Sequence, residues 1–140
     1  MKKNYEKYSR ANGMVYYNQY HIIFCPKYRR KVLKWSIEKD LKRIFYQIAK
    51  EKNARIKALE IMPDHVHIFI YLDPRIKISK IVQLLKGRSS YLLRKKYAFL
   101  RKMKSLWSPS YFCCSIGYIS EKAVKRYINN QKVRAKQYEK

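Results

Sequence analysis

Acidic residues are scarce. Nine Asp and Glu stand against 34 Lys and Arg, a formal net charge of +25 over 140 residues. Salt bridges cannot absorb that excess, because most cations have no carboxylate to pair with. A chain so charged is built for a polyanion, and nucleic acid is the first choice. Cysteine is rare too: Cys25, Cys113 and Cys114 show no CxxC spacing. They read as buried thiols in a reducing, cytoplasmic setting, and the adjacent pair would face opposite sides of a strand, a poor metal clamp. No run of about 18 apolar residues is present, so no membrane span is expected. The first fourteen residues are polar, so no secretory signal is expected either. Internal repeats and low-complexity segments are absent.

Hydrophobic residues make up 47% of the chain, enough for one domain with a real core. Fourteen tyrosines and five phenylalanines add stacking surface, which favours single strands over a duplex read by charge alone. Residues 1–14 read as a basic, loosely ordered arm, and residues 15–138 as the domain. Within it, 15–25 is rich in β-branched and aromatic types and predicts a strand ended by Pro26. Ser36 is placed to cap a helix carrying Leu41, Ile44, Phe45 and Ile48 at helical spacing and ending near Asn53. Residues 54–62 alternate as a second strand, Pro63-Asp64 makes a turn, and 65–72 is a third strand. Ser79 is placed to start a second helix, interrupted by Gly87, which would suit the close approach of another backbone or of a nucleic-acid backbone. Residues 97–110 read as a basic connector holding Trp107, 111–116 as a fourth strand, and 121–138 as a terminal helix. The order β-α-β-β-α-β predicts an α+β, ferredoxin-like split-βαβ domain. Its two helices would cover one face of an antiparallel sheet. The other face would stay open to a ligand or to the terminal helix.

The chain has three histidines, and two of them form His65-Val66-His67. On a strand they point the same way, so both rings can reach one metal ion. Taken alone, such a pair is more often packing or surface than ligand. Val66, Ile68, Ile70 and Leu72 point the opposite way, as a core requires. On the terminal helix Tyr127 and Gln131 are four apart and share one face. Tyr127 has a competing core role beside Val124 and Ile128. His21 reads as a structural histidine and Asp64 as a turn residue.

These features come with three further motifs: Tyr20-His21 with Cys25-Pro26-Lys27-Tyr28-Arg29-Arg30, Leu84 to Ser90, and Trp107 to Phe112. In that order, over residues 15 to 135, the chain resembles the single-tyrosine transposases of the HUH endonuclease superfamily, the TnpA type of IS200-like insertion sequences. The resemblance implies an enzyme that cuts and rejoins single-stranded DNA at hairpin-marked element ends. It implies His65, His67 and Gln131 as ligands of a divalent metal, Mg²⁺ or Mn²⁺. Tyr127 would be the nucleophile, yielding a 5′-phosphotyrosine. Because two ends must be cut with one tyrosine per chain, it implies a homodimer, in which the tyrosine helix could serve the partner's histidines in trans. Lys27, Arg29, Arg30, Lys86 and Arg88 are candidates for DNA phosphates, with a solvated surface as the competing role. Two other functions fit part of the pattern: a domesticated repeat-processing nickase, and a non-catalytic single-strand-binding module with Phe69 and Tyr71 as stacking platforms.

Overall fold

The computed structural model describes Ser9–Ala11, residues 13–117 and Arg126. The stretch read as a loose arm contains a strand. β1 (Ser9–Ala11) pairs antiparallel with β2 (Met14–Tyr16), Ala11 opposite Met14. The two residues between them are Asn12-Gly13, the dipeptide that two-residue hairpins favour, and Gly13 has φ +78°. Each strand is only three residues long, too short to show a period-2 alternation in the sequence. The strand expected over 15–25 is broken after Tyr16 and resumes as β3 (Gln19–Phe24). At the break, Asn18 exchanges hydrogen bonds with Leu72: the Leu72 amide donates to the Asn18 carbonyl at 2.9 Å, and Asn18 Nδ2 donates to the Leu72 carbonyl at 3.2 Å.

The remaining elements are α1 (Trp35–Glu51), β4 (Arg55–Met62), β5 (His65–Tyr71), α2 (Ile78–Lys96) and β6 (Phe112–Ile116). The sheet order β4-β5-β3-β6, antiparallel throughout, is the ferredoxin-like arrangement. Neither serine caps its helix. Each cap lies two residues earlier, at Lys34 and Lys77, with no side-chain cap hydrogen bond. The end of α1 follows expectation: Asn53 takes φ +52° and the Ala54 amide returns to the Ala49 carbonyl at 2.8 Å.

Between helices and sheet lies a core of Ile22, Phe24, Leu41, Phe45, Ile48, Val66, Ile68, Ile70, Leu72, Ile81 and Leu85, among others. Trp107, in the basic connector, is part of it. Its indole packs edge-on against Phe24 at 4.7 Å and donates to Ser89 Oγ at 2.9 Å. Ser89, fully buried, in turn donates to the Leu85 carbonyl at 2.6 Å. No other part of the protein approaches Gly87, where a Cβ would meet nothing within 4 Å. No helix among the described residues is long and apolar enough to cross a membrane.

Candidate active site

Alternation along β5 sends His65, His67, Phe69 and Tyr71 to the face away from α1 and α2. The register sets Met62, Glu60 and Ala58 of β4 opposite the first three, and His21 of β3 opposite Phe69. This second face is not bare. His21, His65, His67, Phe69 and Tyr71 are all buried. At one end, the Tyr16 and Tyr17 rings pack on Tyr71, whose hydroxyl donates to the Tyr16 carbonyl at 2.9 Å. The β1–β2 hairpin therefore helps to close the site.

The His65 and His67 rings lie 4.8 Å apart, nearly perpendicular. Each is oriented through Nδ1. Asp64 Oδ1 accepts from His65 Nδ1–H at 2.6 Å, which leaves the Nε2 lone pair as donor to a metal. His67 Nδ1 lies 3.2 Å from His21 Nε2, and a proton on that Nδ1 leaves His67 Nε2 equally available. The His21 ring also stacks on Phe69, 4.6 Å between centroids and 4° from parallel. Burial pushes the His67 pKa down to about 4, with the neighbouring His65 and His21 adding to the effect. Burial alone lowers His21 to about 4. Both are uncharged at neutral pH, the form in which imidazole binds metal.

Asp64 does more than turn the chain. Buried itself, it links His65 to Arg29, whose Nη2 donates to Asp64 Oδ2 at 3.2 Å. A carboxylate beside a histidine pair, with a basic loop upstream, was the only sequence signal for this link, and turn chemistry explained the same residue. His21, read as structural, proves to be a direct neighbour of His67.

Tyr127 and Gln131, the expected nucleophile and third ligand, lie outside the described residues, as does the expected helix 121–138 apart from Arg126. Among the described residues, no group of three or more His, Cys, Asp or Glu is arranged to hold a metal ion. His65 and His67 are the described pair whose rings could share one divalent ion, and Gln131, the expected third ligand, is not among the described residues.

The candidate phosphate contacts divide. Lys86 Nζ donates to the carbonyls of Ser108 and Ser110 at 2.6 and 3.0 Å, and burial lowers its pKa. Arg88 pairs with Glu51 across the helices. Arg29 is engaged by Asp64. Lys27 and Arg30 stand in a turn whose chain bends through Tyr28 and Arg29, both at positive φ. The cysteines also depart from expectation: Cys25 and Cys113 are half-buried and Cys114 is exposed.

Residues 14–131 match the family described as transposase IS200-like. The chain belongs to this family. Among its relatives, the ISDra2 transposase TnpA of Deinococcus radiodurans is 33% identical over 125 residues, covering 87% of this chain and 89% of that protein. The transposase for insertion sequence element IS200 of Salmonella typhimurium is 29% identical over 116 residues, covering 81% and 76%. A solved transposase candidate from D. radiodurans superposes with a TM-score of 0.72 at 32% identity, over 88% of this chain and 97% of that one. A REP-associated tyrosine transposase, solved with a REP hairpin, shares the fold at a TM-score of 0.61 and 16% identity, over 84% and 68%. Membership in the family carries DNA endonuclease and strand-transfer activity with it.

Proposed function

We propose that this transposase cleaves and rejoins single-stranded DNA at hairpin-marked ends through a 5′-phosphotyrosine on Tyr127. His65, His67 and Gln131 would hold Mg²⁺ or Mn²⁺. The observation that carries the reading is the histidine pair: two buried rings, one anchored by a carboxylate and the other by His21, an arrangement that leaves both Nε2 atoms to bind when each ring carries its proton on Nδ1. A divalent ion there would neutralise charge on the scissile phosphate and orient it for in-line attack. Tyr127 Oη, having lost its proton, forms the bond to phosphorus. The P–O3′ bond breaks, and the departing oxygen takes up a proton as a free 3′-hydroxyl. The covalent link conserves the phosphodiester, so a 3′-hydroxyl can later reverse the step without ATP. Water in place of the phenol would lose the end.

The hairpin-bound REP-associated transposase, built on the same fold, supports a hairpin as the recognised element. A passive binding module fits less well. Such modules stack bases on exposed aromatics of the central strands. Here Phe69 and Tyr71 are buried, Phe69 under His21 and Tyr71 under Tyr16 and Tyr17. Cutting two ends with one tyrosine per chain favours a homodimer.

The test is incubation with labelled, hairpin-bearing single-stranded DNA from the element's ends, with Mg²⁺ or Mn²⁺. A covalent protein–DNA band is expected, and Tyr127→Phe should lose it. An adduct that persists in Tyr127→Phe sinks the mechanism. A matched duplex that competes as well as the hairpin strand sinks the single-strand preference.

A further inference from the structure

A pocket of about 230 Å³ opens between the 27–30 turn and the 102–105 segment. Its lining includes Lys27, Arg30, Lys102 and Lys104, with Tyr28 and Ser105, and no acidic residue. Four cations converging without a carboxylate repel one another unless an anion sits among them. The floor is fixed. The Lys27 amide donates to the Leu106 carbonyl at 2.9 Å, the Ser108 amide to the Cys25 carbonyl at 2.9 Å, and Pro26 bridges Trp107.

The turn itself is unusual. Tyr28 (φ 60°, ψ 20°) and Arg29 (φ 51°) are consecutive left-handed residues, a conformation that a bulky side chain seldom adopts. It throws the Tyr28 ring outward, 78% exposed, with Lys27 Nζ 5.6 Å from its centroid. It also aims Arg29 at Asp64, and through it at His65. An exposed aromatic held in a strained turn beside unpaired cations suits a nucleotide: a base for the ring, a phosphate for the cations.

We propose that this pocket binds one nucleotide of the single-stranded DNA flanking the scissile phosphate, with Tyr28 stacking the base and Lys27, Arg30, Lys102 and Lys104 holding the backbone. The proposal rests on the single-stranded substrate proposed above and adds where that strand runs: from the histidine pair, along Arg29, into the 27–30 turn.

The test is fluorescence anisotropy of the full chain with fluorescein-labelled decathymidylate in EDTA, where no cleavage complicates binding. Tyr28→Gly should weaken binding about 5- to 150-fold, the range that base–aromatic stacking spans. Glycine accepts positive φ without strain, so its melting temperature should hold or rise. Tyr28→Trp should keep the affinity. Lys102→Ala/Lys104→Ala should weaken binding and lower the slope of log K against log salt by about 1.4, two single-strand phosphates' worth. The charge-matched pair Lys50→Ala/Lys52→Ala, on the end of α1, should change binding far less. Tyr28→Gly binding like the parent overturns the pocket, and so does equal weakening by the two lysine pairs or a parent that does not bind the oligonucleotide. Adduct formation at Tyr127 with an indifferent Tyr28→Gly removes the pocket and leaves the cleavage mechanism standing. Lost binding in Tyr28→Gly with no adduct in the parent does the reverse.

Discussion

Along β5 and just beyond it, Val66, Ile68, Ile70 and Leu72 enter a core of hydrocarbon, while His65, His67, Phe69 and Tyr71 enter a layer laced with hydrogen bonds. Both faces are buried, and adjacent residues belong to different worlds. On the helix side, burial alone is favourable, at roughly 25 cal/mol per Å² of apolar surface. On the other side each polar atom needs a named partner, since a buried unpaired donor or acceptor costs about 1–3 kcal/mol. The histidine face is therefore held less by volume than by geometry: Asp64 for His65, His21 for His67, the Tyr16 carbonyl for Tyr71. One face supplies the stability that lets the other keep its histidines aligned.

Neighbouring substitutions should separate the two faces cleanly. His65→Ala/His67→Ala is expected to abolish metal-dependent cleavage, a loss on the order of a thousandfold or more, because a metal on phosphate is worth several kcal/mol. Its melting curve should stay cooperative. Gel assays of the covalent adduct, read beside circular dichroism, check both halves. Ile68→Ala, one residue along, should cost about 2–5 kcal/mol of folding stability through the cavity it leaves. The surviving folded fraction should still cleave. If Ile68→Ala kept its stability and lost activity, the division between faces would be wrong.

The period-2 alternation of β5 was legible because its two faces differ so sharply in residue type, and the helices were legible from Leu41, Ile44, Phe45 and Ile48. What stayed hidden was anything that depends on long-range partners. Trp107 sits among lysines and serines in the sequence, and only the fold brings Phe24 and Ser89 to it. Lys86 looks like a surface cation until the Ser108 and Ser110 carbonyls are seen to capture it. Asp64 is readable as a turn residue, whereas its second task, orienting His65, appears only in the fold. The helix caps lie two residues before Ser36 and Ser79 because serine is only a preference at a cap. Here the Lys34 and Lys77 carbonyls receive the first helical amides without side-chain help.

Asp64 offers a smaller and more pointed test of the polar face. Removing a carboxylate that orients a metal-binding histidine typically costs 10- to 100-fold in metal affinity or activity. Asp64→Ala should therefore raise the Mn²⁺ concentration for half-maximal cleavage by about that factor. Asp64→Asn keeps an acceptor oxygen and should recover part of it. Arg29→Ala, whose side chain is two-thirds exposed at 67%, should have the weaker effect of the two positions. Equal curves for Asp64→Ala and the parent would reduce the 2.6 Å contact to turn chemistry.

The smallest effect expected is on stability, and it has a definite sign. His21 and His67 have pKa values near 4 in the folded protein, against an ordinary value of 6.5. Between those values the unfolded chain takes up protons that the native state refuses. Their contribution is therefore complete above pH about 6.5 and is lost as pH falls toward 4. The metal-free protein in EDTA should lose several degrees in melting temperature between pH 7.5 and pH 5. His21→Phe keeps a ring over Phe69 and removes one titrating group, so its melting temperature should fall less over the same interval. Ile68→Ala should start lower and fall in parallel with the parent, since it leaves both histidines in place. A His21→Phe profile parallel to the parent's would mean that the acid sensitivity arises elsewhere than on the histidine face.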